Sequence, residues 1–191
     1  NIEAIMIEYI RKAYGVNRVA IVDTDCHHGD GSQDIYWHDP NVLFISIHQD
    51  GRTLYPGSGF PDHKGEGKGE GYTLNIPLPE TVDGTKYLKA LKRALQRIEE
   101  FRPQILVLAL GLDPSRGDPT GTWSLTRKDF TENARMIGEL GLPVLVIQEG
   151  GYRTQTLGKN ALAFFQGLAE GVSRWADSRH VSNHRLHGVT L

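Results

Sequence analysis

Apolar positions fall into short blocks whose period changes along the chain. In Ile2–Tyr14 they recur at helical spacing, with Ile2, Ile5, Met6, Tyr9 and Ile10 on one face, and this predicts an amphipathic helix stopped by Gly15. Residues 18–23 (RVAIVD) and 42–47 (VLFISI) are unbroken apolar runs, the pattern of buried strands. Residues 49–71 are rich in glycine and charge and read as one long loop, a length usually functional or disordered in a compact domain. Residues 72–78 read as another strand, ended by Pro77 and Pro79. The clearest helix spans 87–101: Leu88, Leu91, Leu95 and Ile98 recur at helical spacing, and Lys and Arg fill the other face. Residues 105–110 (ILVLAL) predict a strand and Gly111 opens a loop. A helix over 126–140 follows, with Thr126 as N-cap and Asp129 completing an approximate capping box. A strand over 144–147 and a helix over 157–168 complete the pattern, and the polar residues from Ser173 onward predict a loose tail.

Strands and helices in alternation imply an α/β fold, three layers with a mainly parallel sheet. The boundaries that result are one domain over 1–172 and a polar tail over 173–191. Ligands in such sheets bind beyond the carboxyl ends of the strands, so the residues after each strand matter most. After the first strand comes Asp23-Thr24-Asp25-Cys26-His27-His28-Gly29-Asp30-Gly31. Asp25 and His27 are two residues apart, so on an extended segment they share a face, while Cys26 points the other way. Carboxylate and imidazole are ordinary zinc ligands. After 105–110 comes Gly111-Leu112-Asp113, a third ligand type at an equivalent place. After 144–147 comes Glu149-Gly150-Gly151-Tyr152, a turn that leaves a phenol at the rim. Asp25, His27 and Asp113 would make a three-ligand site with an open position, the catalytic arrangement of zinc. Each cluster alone has a plainer reading. Asp23 and Asp30 suit turns or caps, His27-His28 a solvated pair, Asp113-Pro114 a turn, and Gly-Gly-Tyr a turn with an aromatic plug. What favours chemistry is that all three clusters follow strands whose ends one sheet would gather.

Charge and composition then narrow the partners. Lys plus Arg (21) nearly balance Asp plus Glu (23), which leaves no electrostatic footprint for nucleic acid or an anionic membrane. No apolar run approaches the ~20 residues of a bilayer span, and no secretory signal pattern is present. The single cysteine, Cys26, excludes an internal disulfide and fits a reducing compartment, the cytoplasm. Residue 1 is Asn, which leads us to expect that the chain starts inside a longer gene.

The stretches DTDCHHGDGSQDIYW, DPNVLFISIHQD, LYPGSG, GLDPSRGDPTG and EGGY, in this order, resemble histone deacetylases and their bacterial relatives, the acetylpolyamine amidohydrolases. The likeness runs over roughly residues 17–168. It implies an arginase/deacetylase-like fold and zinc-dependent hydrolysis of an acylated amine, a small molecule or a protein lysine. By this resemblance Asp25, His27 and Asp113 hold the zinc, and Tyr152 stabilises the oxyanion. Asp23 and Asp30 orient two catalytic histidines. A monovalent cation, expected to be potassium, is held by backbone carbonyls of Asp23, Asp25, His27 and Ile47 with the Ser46 hydroxyl. Tyr55 and Gly151 match positions lining the acyl channel. Two departures stand out. The family's paired histidines lie upstream in a Pro-Gly-His-His stretch, and no histidine precedes Asp23 here. Asp113 is followed by Pro-Ser, where relatives often have Ala-His. The expectation is a domain lacking its N-terminal part, inactive alone and prone to self-association as a homo-oligomer. The rival readings are an arginase-type ureohydrolase with two manganese ions, which needs further bridging carboxylates, and a metal-binding fragment without turnover.

Overall fold

The computed structural model describes the backbone of residues 1–186 and the side chains of residues 1–179. Five strands, β1 (Val19–Asp23), β2 (Val42–Gln49), β3 (Thr73–Leu78), β4 (Ile105–Leu110) and β5 (Val144–Gln148), form one sheet in the order β3-β2-β1-β4-β5. Every pairing is parallel. Five helices accompany them: α1 (Ile2–Tyr14), α2 (Asp30–Tyr36), α3 (Gly84–Phe101), α4 (Arg127–Gly138) and α5 (Thr154–Leu186).

The centre of the sheet explains its apolar runs. All residues of β1 and β2 are buried, because helices cover both faces. Alternate residues serve the two sides. Ala20, Val22, Leu43, Ile45, Leu106 and Leu108 join one core with α3, α4 and α5. Val19, Ile21, Val42, Phe44 and Val107 join a second core with α1 and α2. The three-layer α/β/α expectation therefore holds. Pro77 lies inside β3 rather than ending it, and its missing N–H is tolerated because β3 is an edge strand.

The helices agree with their sequence signals unevenly. Helix α3 turns Leu91, Leu95 and Ile98 into the core as their spacing demands, each such burial contributing about 1.5–3 kcal/mol. It starts earlier than its apolar stripe, because Asp83 caps it through a 2.8 Å bond from Lys86 N. Thr126 and Asp129 form the expected capping box of α4. Helix α1 has the expected ends but seats itself differently. Glu3, Ala4 and Ile7 are its buried residues, whereas Ile2, Ile5 and Tyr9 of the apolar stripe are exposed. Small Ala4 and Ile7 make the sheet contact in this layer, so the broader apolar face looks outward. Helix α2 has no apolar periodicity to announce it. Helix α5 continues past Ser173, where polar composition suggested a loose tail; residues 187–191 of that tail lie outside the described residues. Packing overrides composition there. Gly167 and Gly171 bring α5 against the backbone of α4 at Thr131 and Arg135, and Trp175 covers Gly141. Arg174 pairs with Glu139 at 3.7 Å.

Candidate metal centre and its cleft

Strands β1, β4 and β5 run in register, with Asp23 beside Ala109 and Ala109 beside Ile147. Their carboxyl ends therefore deliver the three sequence clusters to one rim. His27 Nδ1 lies 2.9 Å from Asp25 Oδ1 and 3.0 Å from Asp113 Oδ2. Backbone donors fix the carboxylates. Asp25 Oδ1 accepts from His27 N at 2.8 Å, Asp25 Oδ2 from Gly150 N at 2.8 Å, and Asp113 Oδ1 from Cys26 N at 3.0 Å. The glycine at 150 is required by crowding: a Cβ there would stand 2.4 Å from Asp25 Oδ2 and 2.5 Å from Asp113 Oδ2.

The electrostatics show a centre built for positive charge. The bonds to Asp113 and then Asp25 push the His27 imidazole up to about 10. Burial, with Asp25 nearby, pushes Asp113 up to about 6. Burial also works against the Asp25 carboxylate, but its bonds to His27, Asp113 and backbone N–H groups outweigh it and hold it below its ordinary value. Two carboxylates and one imidazole nitrogen facing a common point, with a cleft beyond, are a donor set that fits a divalent ion such as zinc. Among the described residues this is one cluster, Asp25, Cys26, His27 and Asp113, with ligand atoms within 4.8 Å of one another. The alternation of side chains put Cys26 on the other side; its Sγ is 3.6 Å from His27 Nδ1 nonetheless, because 25–27 is a bend rather than strand. Its buried thiol is pushed strongly up, first by burial and then by Asp113 and Asp25, so it is a poor source of thiolate.

The centre opens on a cleft of ≈ 690 Å³ whose lining includes Asp23, Asp25, His27, Asp30, Tyr55 and Tyr152. Tyr152 is 53% exposed and follows Gly151, whose φ of 143° is open to glycine and rarely to other residues. Tyr55 is exposed at the same cleft. Asp23 is buried and accepts from Asp25 N at 3.0 Å. Desolvation, then repulsion from Asp25, pushes its carboxyl well up. Asp30, the first residue of α2, is exposed, and its Oδ1 accepts from Gly31 N at 2.8 Å. Ser46 lies beside Asp23 in the β1–β2 register, and its Oγ is 2.9 Å from His48 Nδ1. Ser46 and Ile47 are buried.

The other histidines of this region are occupied. His28 Nδ1 meets Ser58 Oγ at 2.8 Å and its Nε2 meets Gln33 Oε1 at 3.2 Å. His48, buried, is held between Ser46 and the Gly59 carbonyl, and burial, then His28, pushes it down to about 4. His63 packs edge-on against Trp37 and Phe60. Sequence reasoning missed the cleft's Glu3 and Glu149. It also missed Asp118, which sits inside the quoted GLDPSRGDPTG stretch without an assigned role. No helix among the described residues is long and apolar enough to cross a membrane.

Fold and site together define a class: a parallel α/β domain with a carboxylate–imidazole–carboxylate centre at the carboxyl rim of its sheet. Comparison with known proteins makes the class specific. The histone deacetylase domain matches residues 1–168, and the chain belongs to that family. It is 41% identical over 152 residues to an acetylpolyamine amidohydrolase of Burkholderia pseudomallei, covering 79% of this chain and 45% of that protein. It is 42% identical over 161 residues to acetylpolyamine amidohydrolase 2 of Pseudomonas aeruginosa, covering 84% and 46%. Among solved structures, the acetylpolyamine aminohydrolase from Burkholderia pseudomallei is similar with a TM-score of 0.85 at 38% identity, over 88% of this chain and 49% of that one. The histone deacetylase Clr3 is similar with a TM-score of 0.83 at 32% identity, over 88% and 30%. The chain thus spans about half the length of the amidohydrolases it matches.

Proposed function

We propose that this chain carries the metal-binding part of a zinc-dependent amidohydrolase that removes the acyl group from an acylated amine. The observation behind the reading is the convergence of Asp25 and Asp113 on His27 at 2.9 and 3.0 Å, on a cleft that Tyr152 also lines. Relatives that are acetylpolyamine amidohydrolases support an acetylated polyamine or lysine as the substrate class. Asp25, His27 and Asp113 would hold a zinc ion, which would supply Lewis-acid polarisation of the amide carbonyl and activation of water. The chain's own residues orient and stabilise. Asp25 and Asp113 are fixed by backbone donors, so the donor set is organised before anything binds. The Tyr152 phenol donates to the carbonyl oxygen as negative charge develops there. Tyr55 and Gly151 border the entry for the acyl chain. The backbone carbonyls of Asp23, Asp25, His27 and Ile47, with the Ser46 hydroxyl, would hold a monovalent cation, potassium in this reading.

In our reading no histidine of the described residues carries the proton: His28 and His48 have both ring nitrogens engaged, and His63 packs against Trp37 and Phe60. In our reading Asp23 and Asp30 orient imidazoles of a Pro-Gly-His-His segment, and the 191-residue chain alone turns over little. A fluorogenic acetyl-lysine assay, with an acetylated polyamine as second substrate, tests this. The chain alone should give no chelator-sensitive hydrolysis, and supplying that segment should raise it by ~10²–10⁴-fold. Robust chelator-sensitive turnover by the chain alone would overturn the missing-base argument. No hydrolysis of either substrate with the segment present would overturn the amidohydrolase reading itself.

A further inference from the structure

The loop that joins β4 to α4 supplies Asp113, and it also reaches across to the turn that bears Tyr152. Asp118 makes that contact. It is buried, 5% exposed. Its Oδ2 accepts from Tyr152 N at 2.8 Å and from Arg153 N at 3.1 Å. Its Oδ1 accepts from Thr120 N at 3.0 Å and from Thr120 Oγ1 at 2.8 Å. The Arg153 guanidinium donates to the Arg116 carbonyl of the same loop, a second tie between the two segments. Tyr152 and Arg153 immediately precede α5, so a carboxylate bonding their N–H groups sits at a helix N-terminus, where negative charge is favoured.

This arrangement matters because little else can place the phenol. Tyr152 is 53% exposed, so side-chain packing restrains only part of it. The residue before it, Gly151, adopts a φ of 143° and has the freedom of glycine. The backbone is held on both sides of that glycine by carboxylates. Asp25 takes Gly150 N on one side, and Asp118 takes Tyr152 N and Arg153 N on the other. One loop thereby fixes both a metal ligand, Asp113, and the direction in which the phenol leaves the turn. We propose that Asp118 is a positioning residue for Tyr152: it acts through the phenol and touches no reacting atom. The inference rests on the reading of Tyr152 as the oxyanion donor.

A double-mutant cycle in the chain supplied with a Pro-Gly-His-His segment tests it, with Asp118→Asn, Tyr152→Phe and the pair. An amide at 118 keeps the shape but turns a donor or a weaker acceptor toward the N–H groups. Asp118→Asn should lower kcat by about 10- to 100-fold, the scale of a misplacement near 1 Å, while KM changes less than about 3-fold. Zinc stoichiometry should stay unchanged. In the Tyr152→Phe background the same substitution should cost less than about 3-fold, because the group it positions is gone. Full multiplication of the two effects, or a KM rise at constant kcat, would show Asp118 to be only a helix cap and overturn the proposal. If Tyr152→Phe alone keeps near-normal kcat, the oxyanion reading fails first and the inference falls with it. Should Asp118→Asn not fold, Asp118→Glu carries the same cycle: it keeps the charge but shifts the acceptors by one methylene, and the same two patterns decide.

Discussion

Two sets of side chains meet at the same cleft, one of them backed by the wholly buried Asp113, and they differ in how completely they are partnered. Asp25, His27 and Asp113 form a closed set, in which each carboxylate meets the imidazole and a backbone donor. Asp23, Asp30, Glu3 and Glu149 form an acidic set with no imidazole among them. Burial, reinforced by Asp25, raises Asp23 well above its ordinary value. Burial and then Glu3 raise Glu149 to about 7. The first set offers two carboxylates to one imidazole, so a cation at its centre would complete its charge balance. In the second set Asp23 and Glu3 are buried, where uncompensated charge is costly, while Asp30 and Glu149 are exposed at the rim. The difference suggests separate tasks: the closed set binds and polarises, while the acidic set receives positive groups such as imidazoles, a monovalent cation or an amine.

That comparison can be broken at its strongest point first. If Tyr152 is the oxyanion donor we propose, Tyr152→Phe in the complemented chain should reduce kcat by ~10²–10³, with little change in KM. Steady-state kinetics on acetyl-lysine measures both, and near-normal kcat would make Tyr152 a plug in its turn. A smaller effect sharpens the acidic side. Potassium held near Asp23 and Ser46 should raise Tm relative to a bulky organic cation at equal ionic strength. An ion at about ten times its Kd contributes roughly 1.4 kcal/mol, and about 2–4 °C per kcal/mol is usual at this chain length. Thermal melts should therefore differ by a few degrees, and identical melts would remove the cation from the account.

How much was legible in the sequence depended on whether local pattern and tertiary partner agreed. For α3 they agreed: Leu91, Leu95 and Ile98 recur at helical spacing and the sheet covers them. For α1 the period was right and the facing was not. Periodicity shows that a helix has an apolar stripe, but the contact with the sheet is made by Ala4 and Ile7, while Ile2 and Ile5 remain exposed. Helix α2 was silent because its buried residues, Ser32, Gln33 and Tyr36, carry little apolar signal. The continuation of α5 past Ser173 was obscured because local composition does not show that Gly171 packs on α4 at Arg135 or that Trp175 covers Gly141 after it.

The site divides in the same way. Asp25, His27 and Asp113 were readable because a parallel sheet sends strand ends to one rim, so placement follows from strand order alone. The Glu3 lining required knowing where α1 crosses the rim, whereas Glu149 follows β5 and was quoted without a role. Asp118 required knowing that one loop folds back on another, which no spacing within Asp118-Pro119-Thr120-Gly121 encodes.

The central claim is that Asp25, His27 and Asp113 form one divalent centre. Calorimetric zinc titration of the chain, checked by metal content after dialysis, measures it most directly. The account predicts one zinc per chain and none in Asp25→Ala, with the fold retained by circular dichroism. Unchanged stoichiometry in a folded Asp25→Ala variant would contradict it.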